Sequence, residues 1–164
     1  MKKLIFVISL VVIIFSVYIP KIYSQWIQQY TGTTANIHDI EFLNENTGWA
    51  VGDGGTCLKT TNGGTNWIQQ NNPAGTKPFV SVHIVDSNVV YLVGYFETII
   101  KTTNGGTNWL TIKNGPYGGG NSYYGVYFLN KDTGWVGGVA ISQYNLLHTT
   151  NGFISFDTSQ IPNE

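Results

Sequence analysis

At 164 residues the chain suits one ordinary domain, and its 20 glycines, 14% aromatics and only 10% charged residues favour short strands and tight turns over helices. All eight basic residues are lysine, so there is no guanidinium to clamp a carboxylate or phosphate bidentately. Formal net charge is −1, but from Gln25 onward five lysines face nine acids, a balance of −4 that argues against nucleic acid or anionic lipid as partner.

The first element is a leader. Met1-Lys2-Lys3 is a positive stretch, and the 16 residues from Leu4 to Ile19 carry no charge before Pro20 and Lys21. Ser24 followed by Gln25 offers a cleavage point, so residues 1–24 read as a secretory signal peptide. The alternative is an uncleaved N-terminal anchor, because Ile22 is larger than such a site prefers and the apolar run falls just short of a comfortable span. Both readings place the rest of the chain outside the cytoplasm, as a secreted, cell-surface or periplasmic protein.

The remainder is repetitive. Thr60-Thr61-Asn62-Gly63-Gly64-Thr65-Asn66-Trp67 recurs letter for letter as Thr102 to Trp109, 42 residues later. Phe42 to Gly52 aligns with Ile84 to Gly94, again 42 apart, and with Phe128 to Gly138, 44 further on. A third, altered copy of the glycine block runs from Thr149 to Phe156. A period near 42 built of short apolar runs and Gly/Asn turns is that of a four-stranded propeller blade.

In chain order, Trp26-Ile27-Gln28-Gln29 repeats Trp67-Ile68-Gln69-Gln70 and predicts a lone fourth strand at 26–30. Ile37 to Leu43 and Gly48 to Val51 form the first two strands of blade one, with Asp53-Gly54-Gly55 as the hairpin after them. Thr56 to Thr61 and Trp67 to Gln70 complete it around the Asn62-Gly63-Gly64 turn. The blades thus span about 36–70, 79–112 and 124–160: an all-β, partial β-propeller of about three antiparallel blades over residues 25–164. Closed rings need about four to eight blades. The count therefore predicts either a homodimer closing a six-bladed ring or a fragment of a larger secreted propeller protein.

The block Thr-x-Asn-Gly-Gly-x-Asn-Trp resembles the Asp-box, or BNR, repeat of sialidase-type propellers. Thr60 and Thr102 stand at its Ser, Asn62 and Asn104 at its Asp, Gly64 and Gly106 at its Gly, and Trp67 and Trp109 at its Trp. With the upstream Thr-Gly-Trp-Ala-Val-Gly block, the chain is more similar to the photosystem II assembly-factor-like propellers. The resemblance covers about 130 residues and implies that the box is a structural hairpin between third and fourth strands, not a catalytic site. In the third copy Phe153 and Phe156 replace Gly and Trp, a departure from the pattern at that blade's outer hairpin.

Sialidase chemistry is excluded, because that family's arginine clamp cannot be built. Asp39 and Glu41 share a strand face at about 7 Å, within the separation of a glycosidase pair. Glu41 aligns with His83 and Tyr127, so three titratable groups fall at one repeat position. Convergence in a channel is one reading, and a polar position between blades is the other. Asp53, Asp86 and Asp132 fit turns, and His38, His83 and His148 lack ligand spacing, so neither a metal nor another cofactor is expected. The tryptophans sit at repeat positions, as packing requires, and Cys57 aligns with Ile99 and Leu146 as a buried apolar residue. The least repetitive segments are the loops 71–77 and 113–124. The second, with Tyr117, Tyr123 and Tyr124, is the candidate contact surface. The expected function is a non-catalytic, exported protein-binding or structural module. A lectin-like propeller recognising a glycan is the alternative.

Overall fold

A computed structural model of the chain describes residues 26–139, 144–153 and 157–160. The leader at 1–24 lies outside the described residues. Twelve strands among them form three four-stranded antiparallel sheets, each running in chain order from its inner to its outer strand. Blade one contains β1 (Ile37–Phe42), β2 (Gly48–Gly52), β3 (Cys57–Thr60) and β4 (Ile68–Gln69). Blade two contains β5 (Phe79–Ile84), β6 (Val90–Gly94), β7 (Thr98–Thr102) and β8 (Leu110–Lys113). Blade three contains β9 (Ser122–Phe128), β10 (Gly134–Val139), β11 (Tyr144–Thr149) and β12 (Asp157–Gln160).

Local chemistry fixes the turns. Between the first two strands of each blade one side-chain oxygen holds two backbone amides: Asn44 takes Asn46 and Thr47, Asp86 takes Asn88 and Val89, and Asn130 takes Asp132 and Thr133, all at 2.7–3.0 Å. These are Asx turns, which need only a short polar side chain at the turn entry.

The second strands of blades one and two are buried along their whole length, so both of their faces are covered. Two apolar layers result. Trp49, Val51 and Cys57 of blade one meet Phe79, Val82, Ile84, Leu92 and Ile100 of blade two. Tyr91, Val93 and Ile99 of blade two meet Tyr123, Phe128, Val136, Leu147 and Phe153 of blade three. Cys57 is a packing residue in the first layer, and burial pushes its thiol pKa far up.

One expectation about strands needs correction. Residues 26–30 form no strand, although four of them repeat the fourth-strand sequence of blade one; Trp26, Ile27 and Tyr30 are exposed. A fourth strand exists only by pairing with a third, and the outer edge of β11 is already taken by β12. The outer hairpin of blade three pairs β11 with β12 despite its altered sequence, and Thr149 makes the same turn contacts as its counterparts.

The innermost strands also carry a shared irregularity. Register shifts fall between Ile37 and Asp39, between Phe79 and Ser81, and opposite Gly137 and Gly138, leaving His38, Val80 and Tyr124 as the extra residues. A bulge reverses which face the following residues present. Strand β9 therefore starts at Ser122, before the expected 124, and Tyr123 turns inward where Phe79 does in blade two.

Candidate functional site

Glu41, His83 and Tyr127 do come together, in a chain running across the two blade junctions. Glu41 Oε2 accepts the Ile84 amide at 2.8 Å, and Oε1 lies 3.5 Å from His83 Nδ1. His83 Nε2 is 3.0 Å from the Phe128 carbonyl, and its ring lies 5.0 Å from that of Tyr127. Both imidazole nitrogens thus face acceptors, an arrangement only the imidazolium satisfies in full. The hydrogen bond to Glu41 raises the His83 pKa above 6.5, against the opposing pull of burial. Asp39 is engaged likewise, accepting Ser81 Oγ at 2.9 Å and the Val82 amide at 3.0 Å. The two carboxylates that matched a glycosidase spacing are therefore spent on holding blade two's inner strand.

The Asp-box residues act as a hairpin lock. Thr60 Oγ1 donates to Asn62 Oδ1 and accepts the Gly64 amide, while Asn62 Oδ1 also takes the Asn66 amide, at 2.9–3.0 Å. Thr102, Asn104, Gly106 and Asn108 repeat the pattern at 2.8–3.1 Å. Gly64 and Gly106 sit at φ +86° and +93°, a region that favours glycine. Trp109 packs edge-on against Trp49 at 5.5 Å, and Trp67 against Phe42 at 5.9 Å. Trp67 Nε1 donates to Gln29 Oε1 at 3.3 Å. At Trp109 the Trp49 ring stands on that side, and the buried indole N–H finds no acceptor among the described residues.

The 113–124 loop is only partly the surface it promised to be. Tyr123 is 1% exposed, packed in the second layer with its hydroxyl accepting from Lys113 Nζ at 3.1 Å. It is a core residue, placed there by the bulge at Tyr124, and burial raises its phenol pKa. Tyr117 and Tyr124 are exposed. Tyr117 stacks obliquely on Phe96 at 4.9 Å, bonds Thr76 Oγ1 at 2.5 Å and lies under Lys77 Nζ. Tyr124 meets Tyr95 edge-on at 6.2 Å, and Tyr95 meets Phe96 at 6.4 Å. Four rings thus form one ledge at the end of the molecule where the second–third strand turns meet the inter-blade loops.

At the centre of that ledge the backbone is strained. Phe96 and Glu97 have φ of +57° and +56°, and the Thr98 amide bonds Tyr95 O at 3.2 Å. This is a two-residue hairpin of the type that ordinarily takes Asn-Gly. Such φ values are uncommon for an aromatic residue and persist only when the surroundings enforce them. Here Gly115 N bonds Phe96 O and Glu97 N bonds Asn121 O, while Lys77 donates to Asn114 and Gly115. Glu97 pairs with Lys113 at 2.8 Å and accepts from Asn121; the Lys113 contact holds its pKa below 4.5. Phe96 and Glu97 escaped the sequence reading, although the repeat marks them: they stand where blade one has Gly54 and Gly55.

At the opposite end a cleft of about 620 Å³ lies between blades two and three, with Lys101, Lys131, Asp86 and Asp132 around Val89 and Leu110. Among the described residues no exposed aromatic ring lines it. Among the described residues no group of three His, Cys, Asp or Glu is placed to hold a metal.

Three blades with Asp-box turns in register define a BNR-type β-propeller. The profile of the family described as photosynthesis system II assembly factor YCF48 matches residues 20–123, and the chain belongs to that family. Among solved structures it is similar to YCF48 bound to D1 peptide, at 25% identity and TM-score 0.65, over 78% of this chain and 40% of that one. YCF48 from Cyanidioschyzon merolae matches at 26% and 0.66, over 81% and 39%. An ancestral GH74 enzyme matches at 16% and 0.62, over 77% and 18%, a likeness of fold alone. The chain therefore spans about two fifths of the length of the YCF48 structures it matches. No curated protein sequence matches the chain.

Proposed function

We propose that the chain is an exported, non-catalytic propeller module that binds an extended segment of another protein on the ledge formed by Tyr95, Phe96, Tyr117 and Tyr124. The strained turn at Phe96 carries the reading. A local rule of hairpin chemistry is broken there, and what the break presents is an aromatic ring between Tyr95 and the exposed Tyr117. Family membership supports a protein partner, since a solved relative is YCF48 bound to D1 peptide. The leader supports export. The non-catalytic reading rests on Asp39, Glu41 and His83, each of which is engaged in a bond across a blade junction.

The test is a selection from a displayed random-peptide library, run beside a glycan array, with D1 peptide as one defined probe. Peptides that bind the wild-type chain and lose at least tenfold in affinity to Phe96→Asn support the proposal. Retention of glycans with no peptide enriched would sink it in favour of a lectin.

A further inference from the structure

Each blade sends one row of side chains onto the next. In blade one the row is Glu41, Trp49 and Lys59, adjacent across the sheet. Trp49 lies against Gly106, where a Cβ would fall 2.2 Å from its ring, and Lys59 crosses the Trp49 face at 5.0 Å to donate to Gly105 O at 2.7 Å. In blade two the row is His83, Tyr91 and Lys101. Lys101 crosses Tyr91 at 5.0 Å and reaches Gly152 O at 3.5 Å. There the receiving position holds Phe153, edge-on to Tyr91 at 5.8 Å. The two junctions are matched by size: a large Trp meets Gly, and a smaller Tyr meets Phe.

Blade three displays the same row as Tyr127, Trp135 and His148, with His148 stacked on Trp135 at 4.9 Å. Tyr127 is exposed and Trp135 half-buried, where their counterparts are covered by a following blade. Blade one offers the receiving half. Ile40 and Phe42 are 53% and 41% exposed, whereas their blade-two counterparts Val82 and Ile84 are 4% and 8% exposed under blade one. The receiving turn has Gly at position 64, the residue that a Trp requires. Gln29 now occupies that seat: its amide donates to Gly63 O at 3.3 Å, and a Cβ on Gly64 would lie 1.9 Å from its Oε1.

We infer that the outgoing face of blade three docks on the receiving face of blade one of a second copy, Trp135 seating on Gly64 and His148 donating to Gly63 O, with Gln29 displaced. The contact made twice about a two-fold axis closes six blades, within the range of known rings. It also covers the exposed side chains of Ile40 and Phe42 on blade one. A second copy fits better than an unrelated partner because the two open faces are the missing halves of one junction, matched in size at Trp and Gly.

The full 164-residue chain, expressed with its leader and purified, is sized by light scattering after gel filtration. The expected result is twice the chain mass, falling to the single mass in Trp135→Glu. Gly64→Phe alone also gives the single mass, by blocking the seat. Adding Trp135→Tyr recreates the Tyr91–Phe153 pairing and restores the double mass. The bonded turn tolerates Phe there, since Phe153 adopts φ +74° at the equivalent position. Gln29→Ala shifts dimerisation to lower concentration. A single mass for the wild type at all concentrations, masses beyond two, or a double mass unchanged by Trp135→Glu overturns the inference.

Discussion

His83 shows how a repeat position can look like a site and serve as a joint. Its two nitrogens face a carboxylate and a carbonyl, so the protonated ring joins three blades at once. Because its folded pKa is raised above 6.5, this contribution is fully present below pH 6.5 and is lost as pH rises through the raised value. The melting-temperature difference between wild type and His83→Gln should therefore be largest below pH 6.5 and shrink as the pH rises above it; a constant difference would mean the ring is held neutral. Thr102 is a simpler case. It is fully buried, and its hydroxyl serves the Asn104 side chain and the Gly106 amide. Thr102→Val strands that amide, so urea unfolding should show a loss of about 1–3 kcal/mol. The Asp-box residues were legible from sequence because their bonds close within four positions. The His83 joint was half legible: the alignment grouped its residues, but only the blade packing shows that a polar position between blades is the correct reading.

At the scale of elements, identical sequence does not guarantee an identical element. Trp26-Ile27-Gln28-Gln29 and Trp67-Ile68-Gln69-Gln70 share every letter, yet only the second contributes to a strand, because only it has an open third strand beside it. By sequence Tyr123 falls in a loop for a related reason. One bulged residue reverses the face of a strand's end, and nothing in the period-two pattern announces a bulge. The Phe96 turn is hard to see in sequence because turns are marked by residue type, whereas here the departure from type is the signal. Phe96→Asn relieves strain of about 1 kcal/mol and forfeits ring contacts of about the same size, so its stability should lie within about 1 kcal/mol of wild type by urea titration. A larger loss would mean that the ring serves packing rather than display.

For the whole molecule, the blade count, the repeat register and the Asp-box turns were all carried by the sequence, since each blade repeats one local grammar against its neighbour. What the period could not convey is the direction of that grammar: every blade has a sending face and a receiving face, and the two ends of the arc differ accordingly. The arc also has two rims of different chemistry. One carries the Asx and Asp-box turns, fixed by short-range hydrogen bonds, and the other carries the inter-blade loops and the aromatic ledge. A protein-binding propeller that uses the second rim should show it directly. Amide hydrogen exchange of the chain, with and without the tightest peptide from a library selection, should give new protection at residues 95–98 and 114–124 and none at the Asp-box turns 62–66 and 104–108. Protection confined to those turns, or no change on either rim, would contradict the account.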